Sequence, residues 1–149
     1  MRTIISLLVA LAAVLAFTPP ATAAAGWGPY RAPGDKARAS GTLVAVGEDH
    51  DTLPTADQVT VKGTLTDRAR PAGTCAWLLM QFAVRVKNAF VFKERKLRDC
   101  SYRTPKHFTY VLKDVYQVEL KVCSEAKSPA PSAHCRYSGT WKIIYTSPL

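Results

Sequence analysis

Histidine is the side chain best suited to acid–base or metal chemistry near neutral pH, so the natural candidates are His50, His107 and His134. His50 lies in the acidic segment 48–51, which we interpret as an exposed turn because its spacing fits no calcium loop. His107 alternates onto the polar face of a strand, and His134 lies in a proline-containing loop. Because no sequence feature predicts a carboxylate or nucleophile beside His107, and the other two histidines fit a turn and a loop, we expect no catalytic residue, metal ligand or cofactor.

The chain lacks the short motifs that mark common enzyme sites. It contains no G-x-S-x-G elbow, H-E-x-x-H zinc motif, phosphate-binding glycine loop or dinucleotide fingerprint. Paired carboxylates for glycoside cleavage would meet only in the fold, and the 11 acidic residues lie mostly in turns. We therefore favour a noncatalytic domain and keep a small secreted hydrolase as an alternative.

The strongest surface feature is a basic stretch between residues 85 and 106 in which aromatic residues are interleaved. Guanidinium and ammonium groups pair with phosphates or carboxylates, and rings can stack on bases or sugars. The competing interpretation places Phe90 and Phe92 in the core and residues 93–98 in a solvated turn or edge strand. The candidate anion-binding residues are Arg85, Lys87, Lys93, Arg95, Lys96, Arg98, Arg103 and Lys106.

The four cysteines predict two structural disulfides. Their spacing contains no C-x-x-C, which argues against a zinc knuckle or a redox pair. A reversal of the chain at Lys87-Asn88 would bring Cys75 opposite Cys100, although this register also pairs Phe82 with Lys93 and therefore calls for a bulge or a longer turn. A second bridge, Cys123–Cys135, would close a proline-containing loop that has little to bury.

The first 23 residues have the layout of a secretory signal peptide. A positive start precedes an apolar run over residues 4–17 and a small-residue exit, and the run is too short to span a membrane. We expect cleavage after Ala23, or alternatively after Ala25, and export to the extracellular space. The 126 residues that remain suit one domain and carry 19 basic and 11 acidic residues, a net charge of +8 that favours anionic partners.

Beyond a loosely ordered lead-in over residues 24–38, hydrophobic residues recur with a period of two, which is typical of strands. The run over residues 76–87 has one wholly apolar face. Its opposite face is apolar at Trp77 and Leu79 and charged at Arg85 and Lys87. This pattern predicts a central strand whose outer face is covered at one end only. Gly63 lies on an apolar face, where it indicates a bulge or a close backbone approach. The predicted strands are residues 42–46, 59–66, 76–87, 90–93, 107–113, 116–122 and 137–145, with a hairpin turn at 113–115.

About seven strands with no convincing helix predict a single antiparallel β-sandwich of the immunoglobulin-like kind over residues 39–149, with a partly closed barrel as the alternative. The alanine-rich leader and the segment 115–123, which returns through Cys135 to Trp141, resemble small exported β-sandwich proteins of unknown function from actinobacteria. This resemblance brings no established active site. We expect a secreted domain that binds an anionic cell-wall polymer, a cell surface or a protein, and the proline-containing loop keeps a secreted protease inhibitor as a further alternative.

Overall fold

The described part of the chain folds into seven antiparallel strands with little helix. The computed structural model describes residues 23–70 and 73–149, so the predicted signal peptide lies almost entirely outside the described residues. The predicted all-β, antiparallel fold with two disulfides is confirmed. The strands are β1 Ala25–Arg31, β2 Ala37–Glu48, β3 Ala56–Asp67, β4 Thr74–Val86, β5 Ala89–Asp99, β6 Lys106–Ala126 and β7 Lys142–Thr146, with a 3₁₀ turn at Pro33–Asp35 and a short helix, α1, at Ala133–Tyr137.

Strand β6 is bent and belongs to both halves of the sheet. Residues 106–115 pair with β3, and residues 115–126 pair with β4. The bend lies at Asp114, whose φ of 52° is left-handed, and the adjacent Val115 is paired on both sides. The predicted hairpin turn at residues 113–115 is therefore wrong. The positive φ bends the strand without reversing it, so the two predicted strands form the two arms of one strand.

The bent strand folds a single open sheet over its own core. The order of the path is β1-β2-β3-β6-β4-β5, and β7 adds to the second arm of β6. One layer contains β1, β2, β3 and the first arm, and the other contains β5, β4, the second arm and β7. The arrangement is sandwich-like, but the layers share β6 instead of forming two separate sheets. Large side chains that fill the core include Leu43, Val59, Val61, Leu65, Leu78, Met80, Phe82, Val118 and Leu120.

The β4–β5 hairpin has the register expected from the cysteine positions. Its pairing runs without interruption from Ala76 opposite Asp99 to Val86 opposite Ala89, and Phe82 lies opposite Lys93. The expected bulge or longer turn is absent from this hairpin. Because β5 is an edge strand, Lys93 remains exposed and needs no apolar partner.

The N-terminal segment is more ordered than its composition indicates. Residues 24–38, expected to be a loose lead-in, include β1, which pairs with β2. Trp27 secures this strand, because its indole N–H donates to the carbonyl of Thr42 at 3.1 Å and its ring packs against Gly41 and Gly63. The close approach expected at Gly63 is confirmed, and the strand continues without a bulge there.

The C-terminal segment differs from the predicted strand over residues 137–145. Tyr137 ends α1 and is 82% exposed, and β7 begins only at Lys142. Both predicted disulfides, Cys75–Cys100 and Cys123–Cys135, are present. The second tethers α1 over β4, where Trp77, Leu79 and Cys135 form a separate small core with Cys123 and Trp141. The outer face of β4 is thus covered at one end, as its pattern predicts.

Within the described ranges, no helix has the length and apolar character needed to cross a membrane.

Candidate basic site

The bent sheet has two ends of different charge. At the vertex end, where β6 bends, β2 finishes at Glu48 and β4 finishes at Val86. At the opposite end, which we call the convergent end, β3 and β5 finish at Asp67 and Asp99, and both arms of β6 terminate. Residues far apart in sequence therefore meet at the convergent end.

Five cations gather at the convergent end, and we call this group the basic end. Lys127 and Cys100 line two adjoining cavities of about 390 and 480 Å³, of which the first also contains Arg70 and the second also contains Arg98 and Lys106. None of the five forms an ion pair with a carboxylate in the described part of the chain. The members are Arg70, Arg98, Arg103, Lys106 and Lys127.

Tyr102 organises part of this group. The guanidinium carbon of Arg70 lies 4.7 Å from the centre of the Tyr102 ring, and that of Arg103 lies 5.1 Å from it. Cation–π contacts of this kind orient a guanidinium group without neutralising its charge. Both arginines are exposed and can therefore offer their N–H groups to an anion.

The carboxylates at the basic end are turned inward. Asp67 and Asp99 are only 2% and 3% exposed. Asp67 accepts the backbone N–H of Ala69 at 3.0 Å, and Asp99 accepts those of Ser101 at 2.9 Å and Asp67 at 3.2 Å. Burial, together with the nearby charge of Asp99, raises the pKa of Asp67 although its hydrogen bond to Ala69 opposes the shift. These groups hold the turns and do not pair with the surface cations.

A third carboxylate near this end, that of Glu125, is also engaged. It accepts the backbone N–H of Ser132 at 2.8 Å and the hydroxyl of the same residue at 2.5 Å. Ser132 in turn caps α1 by accepting the N–H of Cys135. The carboxylate therefore fastens the helix and leaves the basic end uncompensated.

The vertex end carries the acidic turn, and its carboxylates are used internally. Arg85 donates to Asp49 at 2.8 Å, to Asp51 at 3.3 Å and to the carbonyl of Leu53 at 2.7 Å. The N–H of Thr55 and the Arg85 guanidinium lower the pKa of Asp49, and the same ion pair raises the pKa of Arg85. Arg85, a predicted anion-binding residue, therefore stabilises a turn and does not belong to the candidate site.

The remaining predicted cations are divided by the strand geometry. Lys87 lies in the β4–β5 turn, far from the basic end. Lys93 and Arg95 share the inward face of β5 and line a separate cleft, and Arg95 lies 5.9 Å from the Phe82 ring. Lys96 points outward and pairs with Glu94 at 3.1 Å. One basic stretch in the sequence is thus several surfaces in the fold.

The expected core positions of the two β5 phenylalanines are only partly correct. Phe90 is half-buried and stacks on Tyr116 with ring centres 4.4 Å apart. Phe92 is 60% exposed on the outward face of the edge strand. The edge strand β5 extends beyond α1 and Trp141, which cover β4, so the Phe92 ring is exposed to solvent.

The histidines are not brought into a catalytic arrangement. His50 and His107 are exposed and make no side-chain hydrogen bond within residues 23–70 and 73–149. His134 lies in α1, where its Nδ1 is 2.9 Å from the hydroxyl oxygen of Ser138. Across the described ranges, no group of three or more histidine, cysteine or acidic side chains is placed to hold a metal ion.

Sequence reasoning identified Arg98, Arg103 and Lys106 but missed Arg70 and Lys127. Arg70 follows β3 and Lys127 follows β6, and both lie outside the basic stretch between residues 85 and 106. Only the fold brings them together, because both line the first of the two cavities, where the Lys127 N–H donates to the carbonyl of Gly73 at 2.7 Å. The only sequence signal for Arg70 and Lys127 was that each lies just beyond the end of a strand.

Comparison with protein-family models, with curated proteins and with solved structures gives no match to this chain.

Proposed function

We propose that this protein is a secreted, noncatalytic domain whose basic end binds an anionic polymer. The observation that carries the proposal is the set of five exposed or half-buried cations without carboxylate partners, grouped where the nearby carboxylates are buried or engaged. Such a surface attracts phosphate, sulfate or carboxylate groups by charge and holds them by charge-assisted hydrogen bonds.

Export is part of the proposal, and the disulfides support it. The two disulfides suit an oxidising compartment. Cleavage after Ala23 would leave β1 complete, whereas cleavage after Ala25 would remove the first residue of that strand, which pairs with Leu43. The first site therefore agrees better with the fold.

The test uses heparin and inorganic polyphosphate as probes, with neutral dextran as the blank, and measures affinity across a salt series. A triple variant, R70Q/R103Q/K127Q, removes three charges from the basic end. Its matched control, K62Q/K87Q/K142Q, removes three exposed charges located elsewhere. Each lost polyanion contact lowers the slope of log affinity against log salt by about 1, so we expect a slope reduced by about 2 to 3 in the first variant only.

Two results would overturn the proposal. Binding that is insensitive to salt would exclude a charge-driven contact. Equal losses in the two triple variants would mean that net charge, and not the basic end, drives binding, because both variants carry the same total charge.

A further inference from the structure

A further cavity lies on the outer face of the β4–β5 layer, where the covering segment ends. Trp141 belongs to this cover, and the outward side chains of β5 continue beyond it. The cavity has a volume of about 260 Å³ and is separate from the basic end. We call it the aromatic cavity, and it is lined by Gln81, Phe92, Lys93, Glu94, Arg136, Tyr137 and Trp141.

Aromatic rings around this cavity remain in contact with solvent. Phe92 is 60% exposed, Tyr137 is 82% exposed, and Trp141 is half-buried. Exposed apolar groups that share a cavity mark binding sites more often than isolated exposed residues do. Rings offer large contact area at low conformational cost, because each has only two rotatable side-chain bonds.

The segments that carry these rings are fixed by the surrounding structure. Phe92 lies on β5 directly opposite the small buried Ala83. Tyr137 terminates α1, which the Cys123–Cys135 disulfide tethers. Lys121 donates from Nζ to the carbonyl of Arg136 at 3.2 Å and lies 5.6 Å from the centre of the Trp141 ring. The site is therefore framed by a strand and a tethered helix.

The polar lining of the aromatic cavity contains charges of both signs, with Glu94 as its carboxylate and Lys93 and Arg136 as its cations. The Glu94 carboxylate lies 3.1 Å from Lys96 Nζ and 3.7 Å from Arg136. The Gln81 amide has no hydrogen-bond partner among residues 23–70 and 73–149, so both its donor and its acceptor are available. An anion would meet Glu94, and a cation would meet Lys93 and Arg136, so this mixed lining best suits a neutral group rich in hydroxyls.

We propose that the aromatic cavity binds a neutral sugar ring. A pyranose presents an apolar C–H face that can stack on Phe92 or Tyr137, and its hydroxyl rim can exchange hydrogen bonds with Gln81, Glu94 and Arg136. The proposal rests on the lining of this cavity alone and does not depend on anion binding at the basic end.

The experiment titrates the protein with chitotetraose, cellotetraose and maltotetraose in high salt, which screens the basic end. Binding is measured by calorimetry and by saturation-transfer NMR, which reports the sugar protons that contact rings. We expect at least one tetrasaccharide to bind, and Phe92→Ala and Tyr137→Ala each to weaken it by about tenfold, the equivalent of one stacking contact. Tyr137→Phe keeps the ring and is expected to retain most of the affinity.

Val111→Ala is the matched control, because Val111 is a similarly exposed apolar residue on β6 outside the cavity. Near-UV circular dichroism verifies that each variant is folded. The proposal is overturned if none of the three sugars binds, or if Phe92→Ala and Tyr137→Ala bind as tightly as Val111→Ala. Heparin binding should be the same in all of these variants, so failure of this site is distinguishable from failure of the basic end.

Discussion

Substitution of Gly63 by alanine should destabilise the protein by blocking the contact that secures β1. A Cβ atom at this position would lie 2.5 Å from Cζ2 of Trp27 and 2.7 Å from the carbonyl oxygen of Ser40. Non-bonded carbon atoms normally sit about 3.5 to 4.0 Å apart. The Ser40 carbonyl belongs to the backbone of a paired strand, so it cannot withdraw without disturbing the β2–β3 ladder.

The magnitude follows from two opposing effects. Overpacking of a filled core costs about 1 to 3 kcal/mol. Replacing glycine within a strand returns about 0.5 to 1 kcal/mol of backbone entropy. We therefore expect Gly63→Ala to lower the free energy of unfolding by about 1 to 2 kcal/mol, which for a domain of this size corresponds to a fall of roughly 4 to 8 °C in Tm.

Urea denaturation followed by far-UV circular dichroism measures this effect, and Gly26→Ala is the control. Gly26 lies in β1, next to Trp27, and a Cβ there would meet nothing within 4 Å. The Gly26→Ala variant should therefore be neutral or slightly more stable. In a Trp27→Phe background the six-membered ring of the indole is lost, and Gly63→Ala should cost less. Equal stability of Gly63→Ala and Gly26→Ala would refute the packing argument.

Three further predictions concern stability. Replacing both Cys75 and Cys100 by alanine should cost about 3 to 4 kcal/mol, because the bridge closes a loop of 25 residues, and an unchanged urea midpoint would contradict this. The raised pKa of Asp67 means that its contribution to stability declines as pH rises from 3.8 through that pKa. Asp67→Asn retains a side-chain oxygen to accept the Ala69 N–H but does not ionise, so its stability relative to the parent should improve with rising pH. Denaturation at several pH values tests this. A difference in unfolding free energy that stays constant with pH would count against it. Asp114→Val should cost about 1 to 2 kcal/mol because of the left-handed φ, whereas Asp114→Gly should not, and equal thermal melting of the two variants would exclude this explanation.

Local periodicity predicted the strand content because apolar and polar residues alternate along the sequence of each half-buried strand. The β4–β5 hairpin could also be placed, since the same register that pairs the cysteines sets every other pair in it. The expected bulge was wrong because an edge strand tolerates Lys93 opposite Phe82.

The bend in β6 could not be derived from sequence. Residues 113–115 fit a turn and a bent strand equally well, and the choice depends on β3 and β4, which pair with the two arms from opposite sides. Strand β1 was missed for a related reason. Its glycine, proline and alanine content indicates a loose segment, and its order depends on the fit of Trp27 against two glycines in β2 and β3.

The candidate site was likewise predictable from local sequence only in part. Arg98, Arg103 and Lys106 could be found because they lie close together in the chain. The strand pairing was needed to show that Lys93 and Arg95 are separate from these three residues. The tertiary fold was needed to show that Arg70 and Lys127 join them at the convergent end. Charge density along a sequence is therefore a weak guide to charge density on a folded β surface.

The shared strand β6 also governs the order in which the molecule can assemble. The β4–β5 hairpin closes through a two-residue turn and can form locally, whereas both ladders of β6 join segments distant in sequence. Sheets dominated by non-local pairing fold in about milliseconds to seconds. Until β6 is in place, β3 and β4 each present an unpaired edge, the feature that most readily recruits other chains. Arrival of this one strand therefore sets both the folding rate and the interval during which the chain is prone to aggregate.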